Sequence, residues 1–73
     1  MRLPDKITSF KESVFKLLPL ILDQVSKYDM YPIDIYENIK SIASPSEFIE
    51  ALDCLFILKK IELNQQGELH YVT

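Results

Sequence analysis

The run SPSEFIEALDCLFILKKIELNQQGELHY, residues 44–71, changes its period half-way along. Its opening, Ser44-Pro45-Ser46-Glu47, places a serine at a helix N-cap, a proline at the first helical position and a glutamate at the third. The serine oxygen accepts the third residue's N–H, and the glutamate reaches back to the N–H of the serine. Phe48, Ala51, Leu52, Leu55, Phe56 and Lys59 then recur at helical spacing, which predicts a helix over 45–59. Beyond Lys59-Lys60 the apolar residues alternate instead. Ile61 and Leu63, then Leu69 and Tyr71 across Asn64-Gln65-Gln66-Gly67, read as a β-hairpin. Gly67, the only glycine of the chain, falls where the turn needs a positive φ.

Upstream of this run, Asp34 with Glu37 forms a weaker capping pair, and Ile35, Tyr36, Ile39 and Ile42 mark a short helix over about 34–42. Only about two residues then separate it from the next helix, the tight corner of a helix-turn-helix. Tyr31-Pro32-Ile33 reads as extended, because a residue before proline is pushed out of the α region. The first helix is predicted at 10–27. Ser9 and Glu12 cap it, and Phe10, Val14, Leu17, Leu18, Ile21, Val25 and Tyr28 form one stripe. Pro19 lies opposite that stripe, where a missing donor costs least; the rival reading begins a fresh helix there. Residues 1–9 are left as an N-terminal arm and 10–73 as a single domain. Three helices, an extended residue before the second, and a terminal hairpin define an α+β winged helix.

With 73 residues the chain has room for one domain, and at 48% hydrophobic and 26% charged residues it is too apolar to be a disordered tail. No apolar run approaches the roughly 18–20 residues of a membrane span, and no secretory signal is visible, so a cytoplasmic protein off the membrane is expected. One cysteine, Cys54, and one histidine, His70, are too few for an internal disulfide or a structural zinc site. Cys54 reads as a small half-buried hydrophobe rather than a reactive thiol. His70 has no acid partner nearby in sequence, and a single glycine rules out a phosphate-binding loop. No catalytic residue, metal ligand or cofactor site is assigned, and the chain is not expected to be an enzyme.

A winged helix that reads DNA inserts its third helix into the major groove, and that helix needs Arg, Lys, Asn or Gln on its outer face. Here the face carries Glu47, Glu50 and Asp53, with Cys54 and Ile57 beside them. Residues 28–58 hold one basic residue, Lys40, against six acidic ones, whereas the whole chain stands at only −3. Such a surface repels a polyanion. A small winged-helix DNA-binding transcriptional regulator, or an antitoxin-like repressor, is therefore the alternative, and no direct sequence-specific nucleic-acid binding is expected. Protein binding has positive support in the surplus apolar side chains: Leu3, Ile7, Phe15, Leu20, Leu22, Met30, Tyr31 and Ile57. Any one of them could belong to the domain's own core. Phe15, Leu20 and Leu22 together give the first helix more apolar circumference than one small core can cover, pointing to another chain, a second copy included. The expected partner-binding residues are thus Glu47, Glu50, Asp53, Ile57, Phe15, Leu20, Leu22 and Tyr31.

The stretch EALDCLFILKKIEL at 50–63, followed by GELHYV at 67–72, resembles the small middle components of bacterial ABC-three-component systems. The opening Leu3-Pro4-Asp5-Lys6 and the step Lys11-Glu12-Ser13 are similar too. The resemblance spans nearly the whole chain. It implies genes beside an SMC/Rad50-like ATPase and an effector subunit, often a nuclease, acting against phages and plasmids as in Lamassu-type systems. It also implies an adaptor that joins effector to ATPase and has no activity of its own, and it supplies no catalytic motif.

Overall fold

The computed structural model describes the backbone over residues 5–72 and the side chains over 11–72. Helices α1 (Asp5–Lys27), α2 (Pro32–Ile39) and α3 (Pro45–Ile57) precede strands β1 (Ile61–Leu63) and β2 (Leu69–Tyr71). The strands pair antiparallel, Ile61 with Tyr71, Glu62 with His70 and Leu63 with Leu69. Met30, between α1 and α2, adds one residue to the free edge of β2. Its N–H donates to the Leu69 carbonyl at 3.2 Å and its carbonyl accepts the Leu69 N–H at 2.7 Å. This is the α+β, winged-helix-like order that the change of period at Lys59-Lys60 predicts.

Helix α1 runs unbroken through Pro19, which is exposed, so no second helix begins there. Val14, Leu17, Ile21 and Val25 of the predicted stripe are buried; the Phe10 side chain lies outside the described residues. The helix starts at Asp5, so Ser9 stands in its interior and does not cap it. Residues 5–9 contain no breaker, and a nucleated helix gains a hydrogen bond with each residue it adds. Tyr28, expected on the stripe, is 65% exposed because α1 ends at Lys27. The chain turns there, and Met30 enters the core in its place.

Helix α2 begins two residues earlier than predicted. Tyr31 is extended, as a residue before proline should be, but Pro32 opens the helix, its fixed φ suiting the first position. The N–H groups of Asp34 and Ile35 turn back to the Tyr31 carbonyl at 3.0 and 3.2 Å. The N-cap makes no side-chain hydrogen bond, so the expected Asp34–Glu37 pair does not cap α2. The helix stops at Ile39, and the following turn leaves Ile42 exposed and buries Ala43 instead. The Tyr36 hydroxyl donates to the Ala43 carbonyl at 3.1 Å, and its ring lies 5.1 Å from that of Phe48. These contacts fix the corner between α2 and α3.

At α3 the predicted capping box closes in full. Glu47 N–H donates to Ser44 Oγ at 3.2 Å, and Ser44 N–H donates to Glu47 Oε1 at 2.8 Å. Phe48, Ala51 and Leu55 are buried, and Leu52 and Cys54 pack against the core. Phe56, expected inward, is 37% exposed, since it sits about 100° round the helix from Leu55. The helix ends at Ile57 rather than at 59 because Lys59 adopts φ 60°. Lys59 N–H then donates to the Phe56 carbonyl at 3.0 Å and Lys60 N–H to the Leu55 carbonyl at 2.9 Å, a Schellman closure.

The hairpin loop is organised by Asn64, whose Oδ1 accepts the N–H groups of Gln66 and Glu68, both at 2.9 Å. Gly67 takes φ 83°, as its position in the sequence requires. Ile61 and Leu69 complete the core, while Leu63, on the same face of the hairpin but next to the turn, is exposed.

Candidate partner-binding surface

The core face of α3 centres on Ala51, Leu55 and Phe48. At 100° per residue the opposite face carries Ile49, Glu50, Asp53 and Ile57. All four are exposed, Ile57 at 78% more so than Ile49 at 58%. The surface that a groove-reading helix would turn to DNA therefore alternates branched apolar groups with carboxylates and holds no cation. On α2, Asp34 and Glu37 are exposed as well. Lys40, the one basic residue between 28 and 58, has its ammonium 2.8 Å from Glu37, and that hydrogen bond and charge raise its pKa. The acidic surplus of this face is thus left without a free cation among the residues of α2 and α3.

The expected partner-binding residues divide into three groups. Glu50, Asp53 and Ile57 share the outer face of α3. Glu47 begins the same helix, but its carboxylate is occupied by the cap, and the Ser44 backbone N–H holds it below the usual carboxylate range. Phe15, Leu20 and Tyr31 are exposed, whereas Leu22 is half-buried against the core. Phe15 and Leu20 stand about 140° apart around α1, with Lys16, Pro19 and Asp23 on the arc between them. They do not make one apolar patch. Among the other surplus apolar residues Met30 is buried, and Leu3 and Ile7 lie outside the described side chains.

A shallow groove opens where the first turns of α2 and α3 meet. Pro32, Ile33, Tyr36, Pro45, Phe48 and Ile49 line a volume of about 230 Å³. Ile33 and Ile49 form its outer walls and are 62% and 58% exposed. Neither isoleucine stood out in the sequence. Their one available signal was a departure from the core spacing of each helix, which does not say that they converge.

Structure also supplies the acid partner that His70 lacked in sequence. Asp29, 41 residues away, places Oδ1 2.8 Å from His70 Nδ1. Asn64 Nδ2 donates to Asp29 Oδ2 at 2.9 Å and to Glu68 Oε1 at 3.1 Å. The hydrogen bond from His70 holds the Asp29 carboxyl below its ordinary value, and Asp29 in turn raises the imidazole. All these groups lie at the surface around the turn into Met30. They form a clasp that docks the hairpin on the α1–α2 connection. Among the described residues no group of three or more His, Cys, Asp or Glu is arranged to hold a metal ion, and no helix is long and apolar enough to cross a membrane.

A family model described as ABC-three component (ABC-3C) system Middle Component 7 matches residues 3–70. The chain belongs to that family. Searches among curated proteins and among solved structures give no match.

Proposed function

Because the chain is a middle component of an ABC-three-component system, we propose that it is a non-catalytic adaptor. In this reading it joins an SMC-like ATPase to an effector, often a nuclease, in a cytoplasmic defence complex against phages and plasmids. One observation carries the reading: the outer face of α3 exposes Ile49, Glu50, Asp53 and Ile57 and no basic side chain. Desolvated isoleucines give a protein contact its apolar centre, and the carboxylates select a basic counterpart and steer it into place. The same carboxylates oppose a phosphate backbone, which binds through cations that displace its counterions. The second partner of the bridge would take the side of α1 on which Phe15 is exposed.

Co-expression with the neighbouring components tests this. Glu50→Lys with Asp53→Lys should lower capture of one partner at least tenfold and leave the thermal melt unchanged, since both side chains are exposed and neither caps a helix. Glu47 is unsuitable for this purpose because its reversal would break the capping box. Undiminished capture by the double variant would discard α3 as the contact. Tight binding of duplex oligonucleotides by the isolated chain, falling steeply between about 50 and 200 mM salt, would instead favour the regulator.

A further inference from the structure

We propose that the groove between the first turns of α2 and α3 is the seat of a single anchoring side chain, aromatic or long aliphatic, presented by a lysine- or arginine-rich segment of a partner protein. The inference rests on the adaptor reading and narrows it to one recessed site and one kind of occupant.

The size and chemistry of the groove exclude other occupants. Sites that enclose small-molecule ligands run to roughly 300–1,000 Å³ and place a few polar groups to orient them. This groove holds about 230 Å³ and has no charged lining residue. Its one hydroxyl, on Tyr36, already donates to the Ala43 carbonyl. An apolar cavity of roughly 150 Å³ is enough for a benzene ring, so one large side chain fits here. Two helix N-termini frame the groove, yet they do not make it an anion site. Each helix opens with a proline, which has no N–H to offer, and at α3 the Glu47 carboxylate and the Ser44 hydroxyl satisfy the capping groups.

Charge identifies what flanks the anchor. Glu37 follows Ile33 by one helical turn and Asp53 follows Ile49 by one turn, so each apolar wall continues into a carboxylate. Asp34 and Glu50 stand on the same two helices, and the one cation among them, Lys40, is held by Glu37. An apolar side chain with Lys or Arg about one turn (~5.4 Å) to either side complements this rim. The prolines and the Tyr36–Phe48 ring contact fix the walls in advance, so little order is lost when the groove fills.

Panning a phage-displayed random twelve-residue peptide library against the full chain tests the idea. The expected consensus carries one Phe, Leu, Met or Trp flanked by Lys or Arg. Anisotropy titration of that peptide should show at least tenfold weaker binding to Ile33→Glu and to Ile49→Glu, and several-fold weaker binding to Asp53→Lys. Both isoleucines are largely exposed, and Ile33→Ser and Ile49→Ser, with melts recorded, separate a lost contact from a lost fold. A consensus without basic residues, no enrichment, or binding indifferent to both isoleucine changes would overturn the proposal. If the isoleucine variants still capture the native components while Glu50→Lys with Asp53→Lys does not, the groove assignment fails and the adaptor reading stands. If the peptide requires the groove and no variant affects capture, the adaptor reading fails at this face and the groove assignment stands.

Discussion

His70 and Asp29 each stabilise the other's charged form, and together they set a pH window for the hairpin's attachment. The imidazole is raised above 6.5 by its hydrogen bond and attraction to Asp29, with a smaller contribution from Glu62 across the hairpin. Its contribution is complete below pH 6.5 and disappears as pH climbs through the raised value. Asp29 is lowered from 3.8, chiefly by the His70 hydrogen bond and then by Asn64. Its contribution is present above that value and disappears as pH falls through the depressed one. The clasp is therefore tightest in mildly acidic solution. In an NMR titration the His70 ring should change protonation above 6.5, and Asp29→Asn should bring the midpoint back toward 6.5; an unmoved midpoint would deny the pair. No sequence reading could find this contact, because residues 41 apart become neighbours only when the hairpin folds back on the connection after α1. Glu47 was legible in part. Its spacing from Ser44 announced the cap, but a capping carboxylate and a docking carboxylate look alike until the hydrogen bond is seen.

At the scale of the element, α3 was the most legible and its end the least. The cap and the apolar spacing are local signals, whereas the termination comes from Lys59 entering a conformation that sequence does not advertise in a non-glycine residue. A Cβ in the left-handed region costs roughly 1 kcal/mol, which the Schellman bonds and the hairpin offset. Lys59→Gly should therefore stabilise the domain by about 0.5–1 kcal/mol, raising the melting temperature by roughly 2–8 °C for a chain of this size. A lowered melting temperature would show that the lysine side chain contributes more than its backbone costs. The start of α2 was misread for a related reason. Proline makes its predecessor extended and also favours the first helical position, and the sequence does not say which effect sets the boundary. The groove was illegible because it belongs to neither helix alone. Ile33 and Ile49 become neighbours only through the corner that Tyr36, Ala43 and Phe48 hold.

The molecule as a whole is longer than a compact domain of its size. It measures 45 × 25 × 17 Å with a radius of gyration of 12.9 Å, against about 11 Å expected for 73 residues. Helix α1 accounts for much of the length, its 23 residues spanning roughly 34 Å. The core that α1 contributes to is otherwise built from local pieces: α2 turns directly into α3, and β1 pairs with β2. Contacts that span the sequence include the packing of α1 on α3 and β2, and, at the turn after α1, Met30 with Leu69 and Asp29 with His70. The last two join the middle of the chain to its end, and they differ from the local pieces in time as well as in place. Local helices form within microseconds, whereas a loop of some forty residues closes only once both ends exist and the intervening chain is ordered. The hairpin should dock after the rate-limiting barrier, so weakening its attachment should shorten the lifetime of the native state without slowing its formation. In stopped-flow experiments at pH 6, Asp29→Asn should steepen neither limb of the chevron but lift the unfolding limb alone; an equal drop in the refolding limb would place the docked hairpin inside the folding nucleus.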